Sequence, residues 1–118
     1  MGSESIHYHN SINKVKIVPY ETKYLPSFIE LNTIWIQQYF KVEHNDILQL
    51  QQAESTIIST GGTILFLVDT ITDDVYGCVA MVYDSENSQW ELAKMCVRAD
   101  QQGKHYGDVL MEAGRLMQ

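Results

Sequence analysis

Cysteine is scarce in this chain. Only Cys78 and Cys96 occur in 118 residues, with neither CxxC spacing nor a histidine close by. Neither a metal centre nor a disulfide framework is indicated, and both are read as free, buried thiols. Positive charge is scarce as well. Eight Lys and Arg stand against 15 Asp and Glu, for a formal net charge of −7, and the basic residues are scattered rather than clustered. Such a surface repels phosphate backbones, so nucleic acid is not an expected partner. The acidity serves solubility and would attract a cationic amine. Long hydrophobic runs are missing too. The stretch TILFLV, Thr63 to Val68, falls far short of the roughly 20 residues a membrane helix needs. The polar start has no basic-then-apolar signal pattern, so a cytoplasmic protein with no membrane partner is expected. Internal repeats and low-complexity tracts are absent.

What remains is sized for one domain. With 45% hydrophobic residues in 118, the chain can bury roughly two-thirds of its unfolded surface in a single core. Residues 1–13, MGSESIHYHNSIN, show no periodicity and read as a disordered lead. His7 and His9 there are spaced as an i, i+2 pair that could hold a metal, but a solvated tail is the stronger reading and no metal is assigned. The domain is expected over residues 14–118.

Periodicity orders its elements. VKIVPY, Val15 to Tyr20, reads as a strand that Pro19 closes. A helix should begin near Pro26, where proline suits the first turn, with Phe28, Leu31, Ile34, Trp35 and Tyr39 as one buried stripe. DILQLQQAESTIIST predicts a second helix, capped by Asp46 and stopped by Gly61 and Gly62. TILFLVDT, VYGCVAMVYD and WELAKMCV are short β-rich runs between turn-like connections, which favours an antiparallel meander. A last helix over Asp108 to Met117 places Val109, Leu110, Ala113 and Leu116 near one face. The order β-α-α-β-β-β-α is an α+β layout, with a mixed, mostly antiparallel sheet and flanking helices.

Between the last strand and the last helix lies RADQQGKHY, followed by Gly107. A strand-to-helix loop of this kind gathers backbone N–H groups at a helix N-terminus, which can bind an anion such as a pyrophosphate. Gly103 and Gly107 permit close approach. The spacing fits neither GxGxxG nor GxxxxGK. On physical grounds an ordinary turn and an anion site both stay open.

The residues themselves add a resemblance. ELAKMCVRADQQGKHYGDVLMEAG resembles motif A of the GNAT superfamily of acyl-CoA dependent N-acetyltransferases, whose signature is Gln/Arg-x-x-Gly-x-Gly/Ala between the fourth strand and third helix. IVPYETKYLPSFIELNTIWIQQYFKVEHND, GGTILF and GCVAM are similar to the first strand, early helices and second and third strands of small bacterial members. The resemblance implies acetyl transfer from acetyl-CoA to an amine of a small molecule or protein. A non-catalytic binding or assembly module that keeps the fold is the alternative.

The resemblance also implies roles for residues. Gln102, Gly103, Lys104, His105, Tyr106, Gly107 and Asp108 would form the pyrophosphate loop. His105 departs from the glycine usual at that position, and its backbone must either keep a negative φ or accept the left-handed region, which histidine enters more readily than branched residues. Met95, Cys96 and Val97 would run along the pantetheine arm, and Glu91 resembles the carboxylate that deprotonates the amine. Trp35, Tyr39 and Glu43 would bind the acceptor, with Phe40, His44 and Asp46 as neighbours. The family's fold continues with a fifth strand, a fourth helix carrying a tyrosine acid, and closing strands. The chain therefore reads as a GNAT-like domain incomplete at its C-terminus, whose unpaired fourth strand would favour a homodimer.

Overall fold

The computed structural model describes residues 14–117. The lead expected over residues 1–13, with His7 and His9, lies outside the described residues. The elements are β1 (Val15–Pro19), α1 (Leu25–Tyr39), α2 (His44–Gln51), β2 (Thr63–Asp69), β3 (Val75–Asp84), β4 (Gln89–Val97) and α3 (Tyr106–Leu116). Short 3₁₀ turns at Thr22–Tyr24 and Ala99–Gln101 lead into α1 and follow β4. The four strands form one antiparallel sheet in sequential order β1-β2-β3-β4. This is the expected β-α-α-β-β-β-α layout.

Helices cover both faces of the sheet, which explains why TILFLV is apolar throughout instead of alternating. Along β2, Ile64, Phe66 and Val68 pack with Tyr24, Phe28 and Leu31 at α1 and with Leu50 and Ile57. The intervening Leu65 and Leu67 pack with Val79 and Leu110 on the α3 side. Fully burying a side chain of this size contributes about 1.5–3 kcal/mol, so the middle of β2 is the thermodynamic centre of the fold.

Three expectations need correction. The buried stripe of α1 is Phe28, Leu31 and Asn32, whereas Ile34, Trp35 and Tyr39 are 42%, 45% and 65% exposed. Apolar residues surround this helix, so periodicity alone does not choose its inner face. The second helix begins at His44, with Glu43 as its N-cap. Asp46 sits at the third position and accepts the Glu43 N–H at 2.9 Å, the return half of a capping box. This helix ends at Gln51, and the chain continues through a π-helical turn over Glu54–Ile58. Hydroxyls of Ser55 and Thr56 donate to the Gln52 carbonyl there, and Ser59 Oγ donates to that of Glu54, which competes with regular helix bonding. Gly61, at φ 97°, then turns the chain into β2. Finally, α3 starts two residues early and buries Leu110 and Gly114, while Val109 and Leu116 are exposed.

Candidate functional site

β4 carries a bulge. Its pairing with β3 shifts between Cys78 and Ala80, since Cys78 faces Cys96 while Ala80 faces Ala93, and Lys94 takes φ 50° to absorb the extra residue. A bulge bends its strand and re-aims the residues that follow. Beyond it, Met95, Cys96 and Val97 form the floor of a cavity of about 740 Å³. One wall is α1, from the buried Leu31 to the more exposed Ile34, Trp35, Gln38 and Tyr39. The other is the segment from Arg98 to Asp108 at the N-terminus of α3.

The loop is held by a few specific bonds. Arg98 N–H donates to the Tyr76 carbonyl and Gln101 N–H to that of Arg98, both at 2.8 Å. Gln102 Nε2 donates to the Val97 carbonyl at 3.2 Å, tying the loop back to β4. Gly103 and His105 both take positive φ, at 85° and 64°, so histidine does accept the left-handed region here. Its side chain is 86% exposed and lies 3.5 Å from Asp108. The first bond closing onto α3 runs from Val109 N–H to the His105 carbonyl. The N–H groups of Tyr106, Gly107 and Asp108 precede it, and as first-turn donors they have no partner inside the helix.

Behind the loop stands a stack the sequence reading missed. The Arg98 guanidinium lies 4.8 Å from the Tyr76 ring, and that ring is parallel to Tyr106 at 6.1 Å. Arg98 Nε also bonds Asp100 at 2.7 Å, a pairing that raises the arginine and lowers the Asp100 carboxyl from their ordinary values. The signal was only a basic residue directly after a strand, and Tyr76 is too remote in sequence to be linked to it.

The structure brings most of the expected residues together. Met95, Cys96, Val97, Gln102, Gly103, His105, Tyr106, Gly107 and Asp108 all line the cavity, as do Trp35 and Tyr39. Lys104 does not, and its Nζ bonds Gln101 Oε1 at 2.9 Å. Glu43 caps α2 and does not line the cavity. Glu91 is exposed on β4 opposite Val82. Val82 packs against the same buried cluster as Cys96, so Glu91 shares the α1 face with Cys96, about 15 Å away along the strand. Arg98, Asp100 and Gln38 line the cavity without having been expected there. Among the described residues no group of three His, Cys, Asp or Glu could hold a metal, and no helix is long and apolar enough to cross a membrane.

No family model and no curated protein matches the sequence. Solved structures do match the fold. A GNAT-family acetyltransferase from Staphylococcus aureus superposes with a TM-score of 0.74 at 18% identity, over 86% of this chain and 64% of its own. An acetyltransferase from Streptococcus agalactiae gives 0.70 at 18% identity, over 87% and 65%. A predicted acetyltransferase from Clostridium acetobutylicum, solved with acetyl-CoA, gives 0.70 at 6% identity, over 87% and 72%. This chain has the GNAT acetyltransferase fold, and it spans just under two-thirds of the length of the first two of these structures.

Proposed function

We propose that the cavity binds acetyl-CoA and that the protein transfers the acetyl group to an amine of a small molecule or protein in the cytoplasm. One observation carries this reading: a single cavity joins the end of β4 to the unpartnered N–H groups of the α3 N-terminus. Such a terminus favours a pyrophosphate through both its donors and its dipole. The residues fit the group. A Cβ added to Gly107 would find its nearest neighbour, Met95 Cε, 3.8 Å away, and one on Gly103 would meet nothing within 4 Å, so a ligand can approach both backbones. The bond to Arg98 offsets the negative charge of Asp100.

Acetyl-CoA supplies an activated thioester, and the chain's task is to hold and polarise it. Main-chain donors around Met95 to Val97 would steady the acetyl oxygen as charge develops on it. Trp35 and Tyr39 offer ring faces to a cationic amine. Glu91 is the base assigned to the amine proton, and its distance along the strand calls for an intervening water or an extended acceptor.

A second reading is a binding module without turnover. It is favoured by the carboxylates that line the cavity, which are Asp100, paired with Arg98, and Asp108, while Glu91 stands outside. The two readings separate in one set of experiments. Calorimetry with acetyl-CoA should show binding that Gly107→Asp weakens at least about tenfold, since it adds a negative charge beside the anion site. Gln51→Ala on α2 should leave affinity unchanged. Equal affinity in both variants places the ligand elsewhere. Release of free CoA thiol with an amine present should fall about 10²- to 10⁴-fold in Glu91→Gln if Glu91 is the base. Binding without any release selects the module.

A further inference from the structure

Two thiols and one amide form a cluster that the proposed transfer does not use. Cys78 on β3 and Cys96 on β4 are direct cross-strand partners. Both are buried, and both are free. Their side chains point to the same face, because both sulfurs reach the amide of Asn32, a buried polar residue of α1. Asn32 Nδ2 lies 3.9 Å from Cys78 Sγ, and the Cys96 thiol lies 3.4 Å from Asn32 Oδ1. The same Nδ2 donates to the Phe28 carbonyl at 2.9 Å, which fixes the amide plane and so fixes where each sulfur is held.

The two cysteines differ in access and in acidity. Cys96 forms part of the cavity floor, whereas Cys78 is fully buried behind it. The Cys78 thiol is directed at the Lys94 carbonyl oxygen, 3.8 Å away. The neighbouring Cys78 lowers the Cys96 thiol from its ordinary value, and Cys96 together with burial pushes Cys78 up. Cys96 is thus the thiol a small oxidant meets, and Cys78 is the thiol placed to answer.

We propose that Cys96 and Cys78 are an attacking and resolving pair, which a peroxide converts to a disulfide bridging β3 and β4 beneath the cavity. Cys96 sulfur attacks one peroxide oxygen, the O–O bond breaks, and the departing hydroxide takes a proton to become water. Cys96 is then a sulfenic acid. Cys78 sulfur attacks it, the S–O bond breaks, and the second oxygen leaves as water with the Cys78 proton. Two thiols are oxidised and one peroxide is reduced to two waters.

The geometry permits the bond. Opposed residues of antiparallel strands have Cα atoms about 4.5–5.5 Å apart, inside the range of about 4.4–6.8 Å that disulfides span. The bulge at Lys94, two residues before Cys96, directly follows the Cys78–Cys96 pair in the register, so the strand can adjust locally where the sulfurs must close. A disulfide formed and reduced in this way is the kind found in reducing compartments, where lasting structural ones are rare.

The test is titration of the reduced, folded 118-residue chain with hydrogen peroxide, read by intact mass and by peptide mapping. The expected product has lost two hydrogen atoms, is monomeric by mass, yields one peptide pair joining residues 78 and 96, and returns to the starting mass with dithiothreitol. Cys78→Ser should leave Cys96 as a sulfenic acid that dimedone captures. Cys96→Ser should leave Cys78 unlabelled under the same conditions until the chain is unfolded. Oxygen accumulating on Cys96 of the unaltered chain while Cys78 stays a free thiol would overturn the proposal, as would links only between chains. So would both thiols surviving peroxide that readily oxidises the unfolded chain. The mapping on the unaltered protein decides the matter even if a serine variant fails to fold.

Discussion

At the scale of single residues, His105 shows how a residue other than glycine can occupy a left-handed position. The position needs a left-handed backbone, and at φ 64° an L-residue carries a steric cost of roughly 1–2 kcal/mol. Histidine tolerates this because its first side-chain carbon bears a single branch, and its ring lies in solvent where nothing must shift. Its carbonyl still accepts the Val109 N–H at 3.2 Å, in the turn that opens α3. A β-branched residue would add a second clash at the same carbon. His105→Val should therefore lower stability by about 1–2 kcal/mol, read by chemical denaturation, while His105→Asn should stay within about 0.5 kcal/mol of the original. A valine variant of unchanged stability would mean that the loop relaxes out of the left-handed region at no cost. This strain was partly legible in the sequence, since the resemblance to a signature with glycine at this position leaves only the two backbone outcomes to choose between.

At the scale of elements, the β2–β3 hairpin is held by one carboxylate. Asp69 accepts the Ile71 N–H at 2.8 Å, the Thr72 N–H at 3.0 Å and the Tyr76 hydroxyl at 2.7 Å. These bonds, that of Thr72 foremost and then Tyr76, lower its pKa to about 2. Because the folded value lies below the unfolded one of about 3.9, the stabilisation is complete above pH 4 or so. It is lost as pH falls toward about 2. Asp69→Asn should flatten the fall in stability across that window, measured by urea unfolding at stepped pH. Asp73, Asp84 and Asp100, also lowered by their partners, should keep a residual slope. An unaltered slope would show that the turn bonds survive protonation. The turn composition ITDD marked this hairpin in the sequence, and the apolar runs on either side placed its strands. The inner face of α1 was not legible, because Asn32 is buried by its bonds to Phe28 and the two cysteines rather than by apolarity, while Trp35 faces a cavity that exists only once β4 and α3 are in place. The Arg98, Tyr76 and Tyr106 stack was hidden for the same reason, since its members meet through sheet register and not through spacing.

At the scale of the whole molecule, the sheet has two unlike edges. β1 is short and ends at Pro19, which cannot donate to a further strand. β4 is nine residues long and pairs only with β3 among the described residues, so its far side offers main-chain donors and acceptors to another chain. Water satisfies those groups, and hydrogen bonding alone gives a partner little net gain. The drive must come from apolar surface. Leu92 and Met95 on β4 and Val109 and Met111 on α3 are each between about 37% and 42% exposed, and Leu92 and Met95 both reach toward α3, at Gly114 and Gly107. Antiparallel pairing of two β4 edges about a two-fold axis would bring both copies of this surface together in one continuous sheet. Two features oppose it, the bulge that twists the strand and the charge of Lys94 upon it, both of which protect exposed edges in other proteins. The length of the strand and the apolar residues beside it outweigh one bulge, so the 118-residue chain should self-associate as concentration rises. Light scattering coupled to gel filtration should give a mass that moves toward the dimer, and Leu92→Lys should return it toward the monomer. A monodisperse monomer at every concentration would show that the bulge and Lys94 suffice to protect the edge.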